Sequence, residues 1–432
     1  MVPTWTHMNK AIYIRGGRLI DPSANTDEVR DLFIKDGVIV ETPADVPAGS
    51  EVIEAKGLVV VPGLIDVHVH LREPGGEDAE TIETGSRAAA HGGFTTIVAM
   101  PNTKPPLDTP ERVAFVKRRG EEVGLVQVIP SACITAGRDG RDVADLKALV
   151  EAGAGVFTDD GSTVASDETM KRAMTLAAAL NMTIMDHAQD REMEKDGVMH
   201  EGEFSKHWKL PGIPSEAEIK VIRRDIDLAR RTGCAVHIQH VSTKEGAGLI
   251  REARARRLKV SGELTPHHLA LTDADIKEGD TNYKMNPPLR SAADRAALVH
   301  AIVDGSLQAF ATDHAPHTAA AKARGFLQAP FGIIGLETAV GVTYTELVVS
   351  GLMDLGAWIH RWTTGPARVL GLPDPGLKPG APADVTILDL NKTWTVRSRE
   401  FLSKSRNTPF EGRKLAGRAV RTICRGRTTW QE

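Results

Sequence analysis

The chain has 432 residues, of which 25% are charged, and a formal net charge of -4. This length supports a large buried core, and the lack of a long basic run argues against nucleic-acid or membrane partners, so a small-molecule substrate is expected. The three cysteines form no CxxC pair and leave one thiol over, which favours a reducing compartment. The opening MVPTWTHMNK lacks the apolar core of a secretory signal, and we therefore expect a cytoplasmic protein.

The two ends of the chain share one pattern. The first 60 residues alternate short β-rich runs with Gly, Asn and Asp turns, as in AIYIRGGRLI, DLFIKDGVIV and EVIEAKGLVVV. The pattern returns from about residue 370, in GLKPGAPADVTILDL, TWTV and AVRTICRGR. We predict that residues 1–60 and 370–432 together form one small β-sandwich domain.

The middle of the chain, residues 61–369, alternates short strand-like runs with helix-like segments. The runs are LIDVHVH, FTTIVAM, LVQVIPS, GVFTD, MTIMDH, AVHIQHV, KVSGEL and QAFATDH. Helical character is found at 110–120, 141–152, 167–180, 214–232, 244–257 and 291–304. Eight strand–helix units are typical of an α/β chain folded as a (β/α)₈ TIM-type barrel, and the Gly-rich fingerprint of a doubly wound sheet is missing.

Five of these predicted strands end in histidine or aspartate. The residues are His68 and His70, Asp159 and Asp160, His187, His240, and Asp313. Because barrel enzymes carry their chemistry at the carboxyl ends of the strands, these side chains are expected on one rim. His68 and His70 face the same side of their strand and can bind one ion. The donors exceed what one catalytic zinc needs, and two ions that share a carboxylate fit better.

The other histidines occupy less telling positions. His237 lies three residues before His240, so it faces the opposite side of the strand and is predicted to be buried and structural. His267 and His268 of TPHHL follow the seventh strand, and for them lining the site and packing in the core stay open alternatives. Surface or packing roles are expected for His7, His91, His200, His207, His300 and His360.

Taken in order, these motifs resemble the amidohydrolase superfamily and, within it, the dihydroorotase family of the bacterial class I type. The resemblance runs from GLVVVPGLIDVHVHLREPG through MPNT, FTDDG, TPHHL, MNPPLR, TDHAPH and APFGIIGLET to GLKPGAPADVTILDL. The HxH strand and terminal Asp mark only the superfamily, whereas HLREPG, MNPPLR and DHAPH followed by APFG are more specific. The resemblance implies a zinc enzyme of pyrimidine synthesis that interconverts N-carbamoyl-L-aspartate and L-dihydroorotate.

The same resemblance implies two zinc ions, bridged by one carboxylate and by a hydroxide that attacks the cyclic amide. It assigns as ligands His68, His70 and Asp313 for the first ion, His187 and His240 for the second, and Asp160 as the bridge. Asp313 would also be the general base that passes a proton to the departing ring nitrogen. Alternation sends Asp159 and Asp160 to opposite sides, and only the family spacing selects Asp160, which leaves Asp159 a supporting or turn-stabilising role.

Both dihydroorotate and carbamoyl aspartate carry a carboxylate, and we predict that Arg72 binds it. A guanidinium offers a planar fork that matches a carboxylate. The alternative is a solvated salt bridge with Glu73. The resemblance adds further substrate contacts: Asn102 and His317 to the carboxylate, Asn286 to the ring amide, and the backbone of Pro330 and Gly332 to the ring. The intervening TAAAKARGFLQ is either a lid that excludes water or an ordinary surface connection.

Other functions stay open from the sequence. Hydantoinases, dihydropyrimidinases and allantoinases act on cyclic amides without this carboxylate and commonly bridge their metals with a carboxylated lysine. The fourth strand offers no such lysine, because Lys147 precedes it and Lys171 follows well after it. A non-catalytic scaffold for aspartate transcarbamoylase is expected to lack metal ligands. Homo-oligomer formation, and association of an active enzyme with aspartate transcarbamoylase, stay open as well.

Overall fold

The structure is a computed structural model that describes residues 11–432, so the opening segment and His7 lie outside the described residues. The strands are β1 Ile12–Asp21, β2 Thr26–Lys35, β3 Val38–Val40, β4 Glu51–Glu54, β5 Val59–Pro62, β6 Leu64–Val69, β7 Phe94–Ala99, β8 Gln127–Ala132, β9 Val156–Phe157, β10 Thr183–Asp186, β11 Met199–His200, β12 Gly212–Ile213, β13 Ala235–Ile238, β14 Val260–Leu264, β15 Ala309–Phe310, β16 Val385–Thr395, β17 Lys414–Cys424 and β18 Arg427–Gln431.

The helices are α1 Ile82–Gly92, α2 Pro110–Val123, α3 Leu146–Glu151, α4 Asp167–Ala179, α5 Arg191–Glu194, α6 Glu203–His207, α7 Glu216–Thr232, α8 Lys244–Ala255, α9 Pro266–Ala270, α10 Ala292–Val303, α11 Ala319–Lys322, α12 Gly325–Gln328, α13 Ala339–Thr343, α14 Leu355–Trp362 and α15 Thr364–Val369. Within residues 11–432, none of them combines the length and the apolar character that crossing a membrane requires.

Eight parallel strands form the central sheet, in the order β6-β7-β8-β9-β10-β13-β14-β15. Each overlaps one of the strand-like runs found in the sequence. The first and last strands approach each other, because the backbone N–H of His70 donates to the carbonyl of His314 over 2.9 Å and Asp66 accepts from the backbone N–H of Thr312 over 3.1 Å. The sheet is therefore nearly closed, and the predicted (β/α)₈ barrel is confirmed.

Local signals explain where the barrel helices begin and end. The side chains of Ser166 and Thr243 precede α4 and α8 and accept hydrogen bonds from backbone N–H groups of the first turn, a cap that contributes about 1 kcal/mol. Gly233 ends α7 with a φ of 71°, a left-handed conformation that glycine adopts without steric cost. These signals set helix lengths that return the chain to the next strand.

Both chain ends build a second sheet. Its order is β18-β17-β16-β5-β1-β2-β3, with β4 paired to β1. The two ends meet where β16 runs antiparallel to β5. This sheet has its own apolar core, to which Ile14, Leu32 and Val385 contribute. The predicted β-domain made from both ends is confirmed in its strands, whereas the boundaries at residues 60 and 370 stay a prediction.

Candidate active site

A cavity of about 310 Å³ opens at the carboxyl ends of the barrel strands. The predicted site residues that line it are His70, Arg72, Asn102, Asp160, His187, His240, Asn286, Asp313, His317 and Pro330. His68 is fully buried beside them. The remaining lining residues are Gly161, Met285, Ala315 and Phe331. The structure thus gathers in one place side chains that are spread over most of the sequence.

Two overlapping groups of donor atoms are close enough to hold metal ions. One group is His68, His70 and Asp313, and the other is His68, Asp160 and His240, with the donor atoms of each group within 4.8 Å of one another. His70 Nε2 lies 3.0 Å from Asp313 Oδ1. Histidine and aspartate side chains from several strand ends therefore converge as a metal site requires.

Asp160 lies between the histidines. Its Oδ1 is 3.2 Å from His68 Nε2, and its Oδ2 is 3.4 Å from His70 Nε2. The same Oδ1 is 3.9 Å from His187 Nδ1 and 4.0 Å from His240 Nε2, and these two nitrogens lie 2.9 Å apart. One carboxylate therefore faces both pairs of imidazoles, which is the position that a shared ligand needs.

Asp159 points elsewhere. Its Oδ1 accepts hydrogen bonds from the backbone N–H groups of Ile134 and Thr135, at 2.9 and 3.2 Å. Its Oδ2 accepts from the Thr135 hydroxyl at 2.5 Å. Asp159 does not line the cavity; it stabilises the turn after β8, whereas its neighbour Asp160 faces the cavity.

The charges around the cavity favour a cation. Burial alone would raise the pKa of Asp160. The nearby His68 and His70 outweigh this effect and hold the pKa well below its ordinary value. Burial lowers the pKa of His68, yet Asp313 and Asp160 raise it well above its ordinary value. Burial lowers the pKa of His187 to about 4. Ionised carboxylates and a neutral imidazole are ready ligands, and a metal ion can displace the proton that His68 attracts.

An unsatisfied nitrogen gives a second sign that a metal fits. Within the described range 11–432, the buried His68 Nε2 has no hydrogen-bond partner. It nevertheless faces Asp160 Oδ1 at 3.2 Å and Asp313 Oδ1 at 3.4 Å. A buried polar atom without a partner costs about 1–3 kcal/mol. An ion between these atoms would remove that cost, and imidazole nitrogen with carboxylate oxygen is a donor set that suits zinc and related ions.

Three site residues have left-handed backbones. The φ angles are 60° at Arg72, 31° at His240 and 46° at Asp313. Residues with a Cβ pay roughly 1–2 kcal/mol for this conformation, although Asp and His tolerate it better than most. Such conformations persist where the surrounding structure imposes them, often at functional sites. The fold therefore holds these three residues in backbone conformations that an unconstrained chain disfavours.

Arg72 and His317 form one side of the cavity. Arg72 Nε donates to the carbonyl of Pro316 over 3.1 Å, and its Nη2 lies 3.4 Å from His317 Nε2. Burial lowers the pKa of Arg72 to about 10. Glu73 does not pair with Arg72; it lies 3.4 Å from Arg119. The solvated Arg72–Glu73 salt bridge is therefore not the arrangement in the structure.

The remaining predicted substrate residues are already engaged with protein groups. Asn102 contacts His70 Nδ1 through Oδ1 at 2.9 Å and donates to Asp160 Oδ2 over 3.1 Å. Asn286 Oδ1 accepts from Gln189 over 2.9 Å.

Pro330 and Gly332, the two residues predicted to contact the substrate ring through their backbone, differ in their position relative to the cavity. Pro330 lines the cavity, but Gly332 does not, because its N–H donates to the carbonyl of Lys284 over 2.9 Å and its carbonyl accepts from Lys322 and Asn407. The structure therefore brings Pro330 to the site and leaves Gly332 behind it.

Other residues near the site escaped the sequence reasoning. Phe331 lines the cavity, and its carbonyl lies 2.7 Å from His317 Nε2. Lys322 lies in the predicted lid segment, is almost fully buried, and donates to the carbonyls of Pro330 and Gly332 at 3.1 and 3.0 Å. Glu263 is the last residue but one of the seventh barrel strand, and its Oε1 lies 2.8 Å from His68 Nδ1. An acidic residue near the end of a predicted barrel strand could have identified Glu263 from the sequence. No sequence pattern marks Lys322 as a residue of the site.

The histidines with open or structural predictions lie away from the cavity wall. His237 is fully buried, as predicted. His267 and His268 are buried as well and do not line the cavity, and His268 contacts Thr265 Oγ1 and the carbonyl of Pro287. The further described histidines are exposed at 207 and 300 and half-buried at 91, 200 and 360.

The fold and the cavity define the class of protein: a metal-dependent amidohydrolase on a (β/α)₈ barrel. Solved structures support this class. L-Hydantoinase (dihydropyrimidinase) from Arthrobacter aurescens superposes with a TM-score of 0.86 at 26% identity, covering 97% of this chain and 96% of its own. D-Hydantoinase from Bacillus sp. AR9 superposes with a TM-score of 0.84 at 25% identity, covering 97% and 95%.

Sequence comparison narrows the class to one family. Residues 57–246 match the family model described as dihydro-orotase-like. A dihydroorotase of Pelotomaculum thermopropionicum is 48% identical over 422 residues, 98% of this chain and 99% of the relative. A dihydroorotase of Geobacillus thermodenitrificans is 48% identical over 384 residues, 89% and 90% of the two chains. The chain belongs to the dihydroorotase family, which confirms the resemblance seen in its motifs.

Proposed function

We propose that the cavity is the active site of a dihydroorotase, which reversibly hydrolyses the cyclic amide of L-dihydroorotate to N-carbamoyl-L-aspartate in pyrimidine synthesis. One observation carries this proposal: five imidazoles, two carboxylates and one guanidinium meet at a single cavity of about 310 Å³. The relatives named dihydroorotase support the choice of reaction, since they match this chain over nearly its whole length.

The proposed cofactor is a pair of zinc ions. The proposed ligands are His68, His70 and Asp313 for the first ion, His187 and His240 for the second, and Asp160 between them. A second sphere of contacts already fixes several of these side chains, such as the 2.9 Å contact between Asn102 Oδ1 and His70 Nδ1. Once bound by these residues, such ions would lower the pKa of a coordinated water and would polarise the carbonyl under attack.

Asp313 is the proposed general base. Its carboxylate lies at the rim, where it can accept a proton from the attacking water and deliver it to the departing ring nitrogen. The next residue, His314, is anchored by Glu80 Oε2 at 3.2 Å and by the backbone N–H of Gly335 at 3.2 Å. This anchoring fixes the backbone after Asp313 and therefore the position of the base.

Arg72 is the proposed partner of the substrate carboxylate. Within the part of the chain that the structure describes, no carboxylate forms an ion pair with Arg72. Arg72 is half-buried, and a guanidinium withdrawn from water without a counter-ion is unfavourable. A substrate carboxylate would supply the missing charge in a planar, two-point contact. His317 lies beside it with its pKa lowered to about 3, chiefly by burial, and so stays a neutral hydrogen-bonding group.

The lining of the cavity favours this substrate over the hydantoinase type. No lysine is among the lining residues. Lys147 has 77% of its side chain exposed, and Lys171 is exposed as well. In the proposed centre Asp160 supplies the shared carboxylate, so no carboxylated lysine is needed. A hydantoin or dihydropyrimidine without the carboxylate would leave the Arg72 guanidinium without a carboxylate partner.

Two measurements on the purified protein test the proposal. Metal analysis combined with dihydroorotate hydrolysis before and after chelation should show bound zinc and a loss of turnover that added zinc restores. Full activity in metal-free protein would refute the metal assignment. Turnover of dihydroorotate against hydantoin and allantoin should show a clear preference for the first, and equal turnover would refute the substrate assignment.

We further propose a cytoplasmic location, supported by three free and buried cysteines, Cys133, Cys234 and Cys424. Association of the chain with itself or with aspartate transcarbamoylase is tested by size-exclusion chromatography of the protein alone and of the mixture. A peak at the mass of the single chain in both runs would argue against either association.

A further inference from the structure

Glu263 is a fully buried carboxylate near the end of β14, the seventh barrel strand. This strand supplies none of the proposed metal ligands, and Glu263 does not line the cavity. A buried charge must find partners that compensate for the loss of water. The contacts of Glu263 therefore show which residues it positions.

The partners of Glu263 belong to both proposed metal positions. Its Oε1 lies 2.8 Å from His68 Nδ1 and accepts a hydrogen bond from the backbone N–H of His240 over 3.1 Å. Its Oε2 lies 2.9 Å from His237 Nε2. His237 is held in turn through Nδ1, which lies 2.8 Å from Ser261 Oγ. One carboxylate thus connects a ligand of the first ion with the backbone of a ligand of the second.

The contact with His68 determines which ring nitrogen is free. Two groups contact His68 Nδ1: Glu263 Oε1 at 2.8 Å and Gln239 Nε2 at 3.3 Å. A carboxylate oxygen only accepts hydrogen bonds, so the shorter contact, with Glu263, places the proton on Nδ1. His68 Nε2 then presents its lone pair to the rim, where it lies 3.2 Å from Asp160 Oδ1. This arrangement also makes the imidazole a stronger donor toward a metal ion. Glu263 therefore prepares His68 for binding even though it touches no substrate.

The contact with His240 acts on the backbone. His240 has a φ of 31°, a left-handed conformation that has to be imposed by its surroundings. The hydrogen bond from its N–H to Glu263 Oε1 is one such restraint, and it leaves the ring in place beside His187. The same oxygen therefore fixes the orientation of one imidazole and the backbone of another.

We propose that Glu263 is a positioning residue that sets the tautomer of His68 and the backbone of His240, and so couples the two metal positions. This inference rests on the proposed zinc centre. It extends the centre beyond its ligands, because a single buried acid on a strand without ligands controls both halves. Removing its charge should weaken zinc binding at both positions together and not at one alone.

The test is the variant Glu263→Gln, which keeps the size of the side chain and removes its charge. Zinc affinity of metal-depleted protein, measured by competition with a chelator of known affinity, should fall about 10- to 100-fold. The matched control is Glu337→Gln. Glu337 resembles Glu263 because its carboxylate contacts a histidine, His91 Nδ1, at 2.5 Å and accepts hydrogen bonds from backbone N–H groups. It differs because it does not line the cavity or contact a proposed ligand. The control should keep the parent affinity.

A second measurement needs no variant. Nitrogen NMR of the histidines in the zinc-loaded parent protein should show His68 protonated at Nδ1 and metal-bound through Nε2. Binding through Nδ1 would overturn the inference, as would parent zinc affinity in Glu263→Gln at both positions. Absence of zinc binding by the parent protein would instead refute the zinc centre itself, and with it the inference.

Discussion

The two sides of the cavity are built in different ways. On the metal side, His68, His240 and Asp313 lie at strand ends and are 0%, 2% and 3% exposed. On the substrate side, Arg72, His317 and Pro330 belong to loops that follow the first and last barrel strands. Strand ends are positioned by the hydrogen bonds of the sheet, whereas loops depend on individual side-chain contacts. Substitutions should therefore affect the two sides differently.

On the substrate side, Lys322 contacts several backbone carbonyls of the cavity wall. Its side-chain nitrogen lies within hydrogen-bonding distance of the carbonyls of Pro330, Gly332 and Lys284, at 3.1, 3.0 and 3.4 Å. Burial, followed by the nearby Lys284, lowers the pKa of Lys322 to about 7. The segment that the sequence marked as a lid or a surface connection is thus fastened to the cavity wall by one buried amine.

The largest effect is expected on the metal side, from Asp160→Ala. Loss of the shared carboxylate should sharply lower bound zinc and abolish turnover, because Asp160 faces all four imidazoles. Asp159→Ala is the control, and it should keep most of its metal and lose less activity, since Asp159 contacts the backbone of Ile134 and Thr135 instead. If metal analysis instead shows that Asp159→Ala loses more zinc than Asp160→Ala, Asp159 is the bridging residue.

Asp313→Asn should have the next largest effect. The amide cannot accept the proton, so turnover should fall by at least ~10², the lower end for loss of a positioned general base. The variant should remain folded, as circular dichroism will show. Near-normal kcat at saturating dihydroorotate would remove Asp313 from the proposed chemistry.

Arg72→Met tests the substrate side. Hydrogen bonds to charged groups contribute about 1.5–3 kcal/mol, so KM for dihydroorotate should rise about 10-fold or more, with fold and zinc content unchanged. Arg119→Met is the control, because Arg119 pairs with Glu73 and does not line the cavity. A KM for Arg72→Met within twofold of the parent would contradict the assignment.

Lys322→Met should give the smallest effect on catalysis. Without the amine, the Pro330 and Gly332 carbonyls lose the donor that they share, and Gly332 keeps only Asn407. KM should therefore rise severalfold while zinc content stays constant. Arg324→Met, an exposed change in the same segment, should leave KM unchanged. An equal KM in both variants would show that Lys322 does not fasten this wall.

The same variant has a distinct pH signature. The pKa of Lys322 is about 7 in the folded protein and near 10.5 when unfolded, so between these values the unfolded chain binds the additional proton. Stability of the parent relative to Lys322→Met should therefore increase as pH rises from about 7 toward 10. Urea unfolding at pH 7 and pH 9 measures the difference, and a constant difference would argue against a buried, neutralised amine.

The barrel was predictable because its signals are local and repeated. The strand-like runs are short, several helices begin at capping side chains such as Ser166 and Thr243, and the alternation of side chains puts His68 and His70 on one side. The choice between Asp159 and Asp160 was not predictable in this way. The strand β9 ends at Phe157, so strand alternation does not extend to the acidic pair, and the distant Thr135 determines where Asp159 points.

The sequence by itself determined the eight strands, the polar residues that end five of them, and the family, since all of these are encoded in local patterns and motifs. Only the tertiary structure decided the contacts between distant residues. Glu263 lies 195 positions from His68, and Gly332 is withdrawn from the cavity by Lys284, Lys322 and Asn407. Such contacts depend on how strands and loops from far apart in the chain pack together, and periodicity within one element carries no information about them.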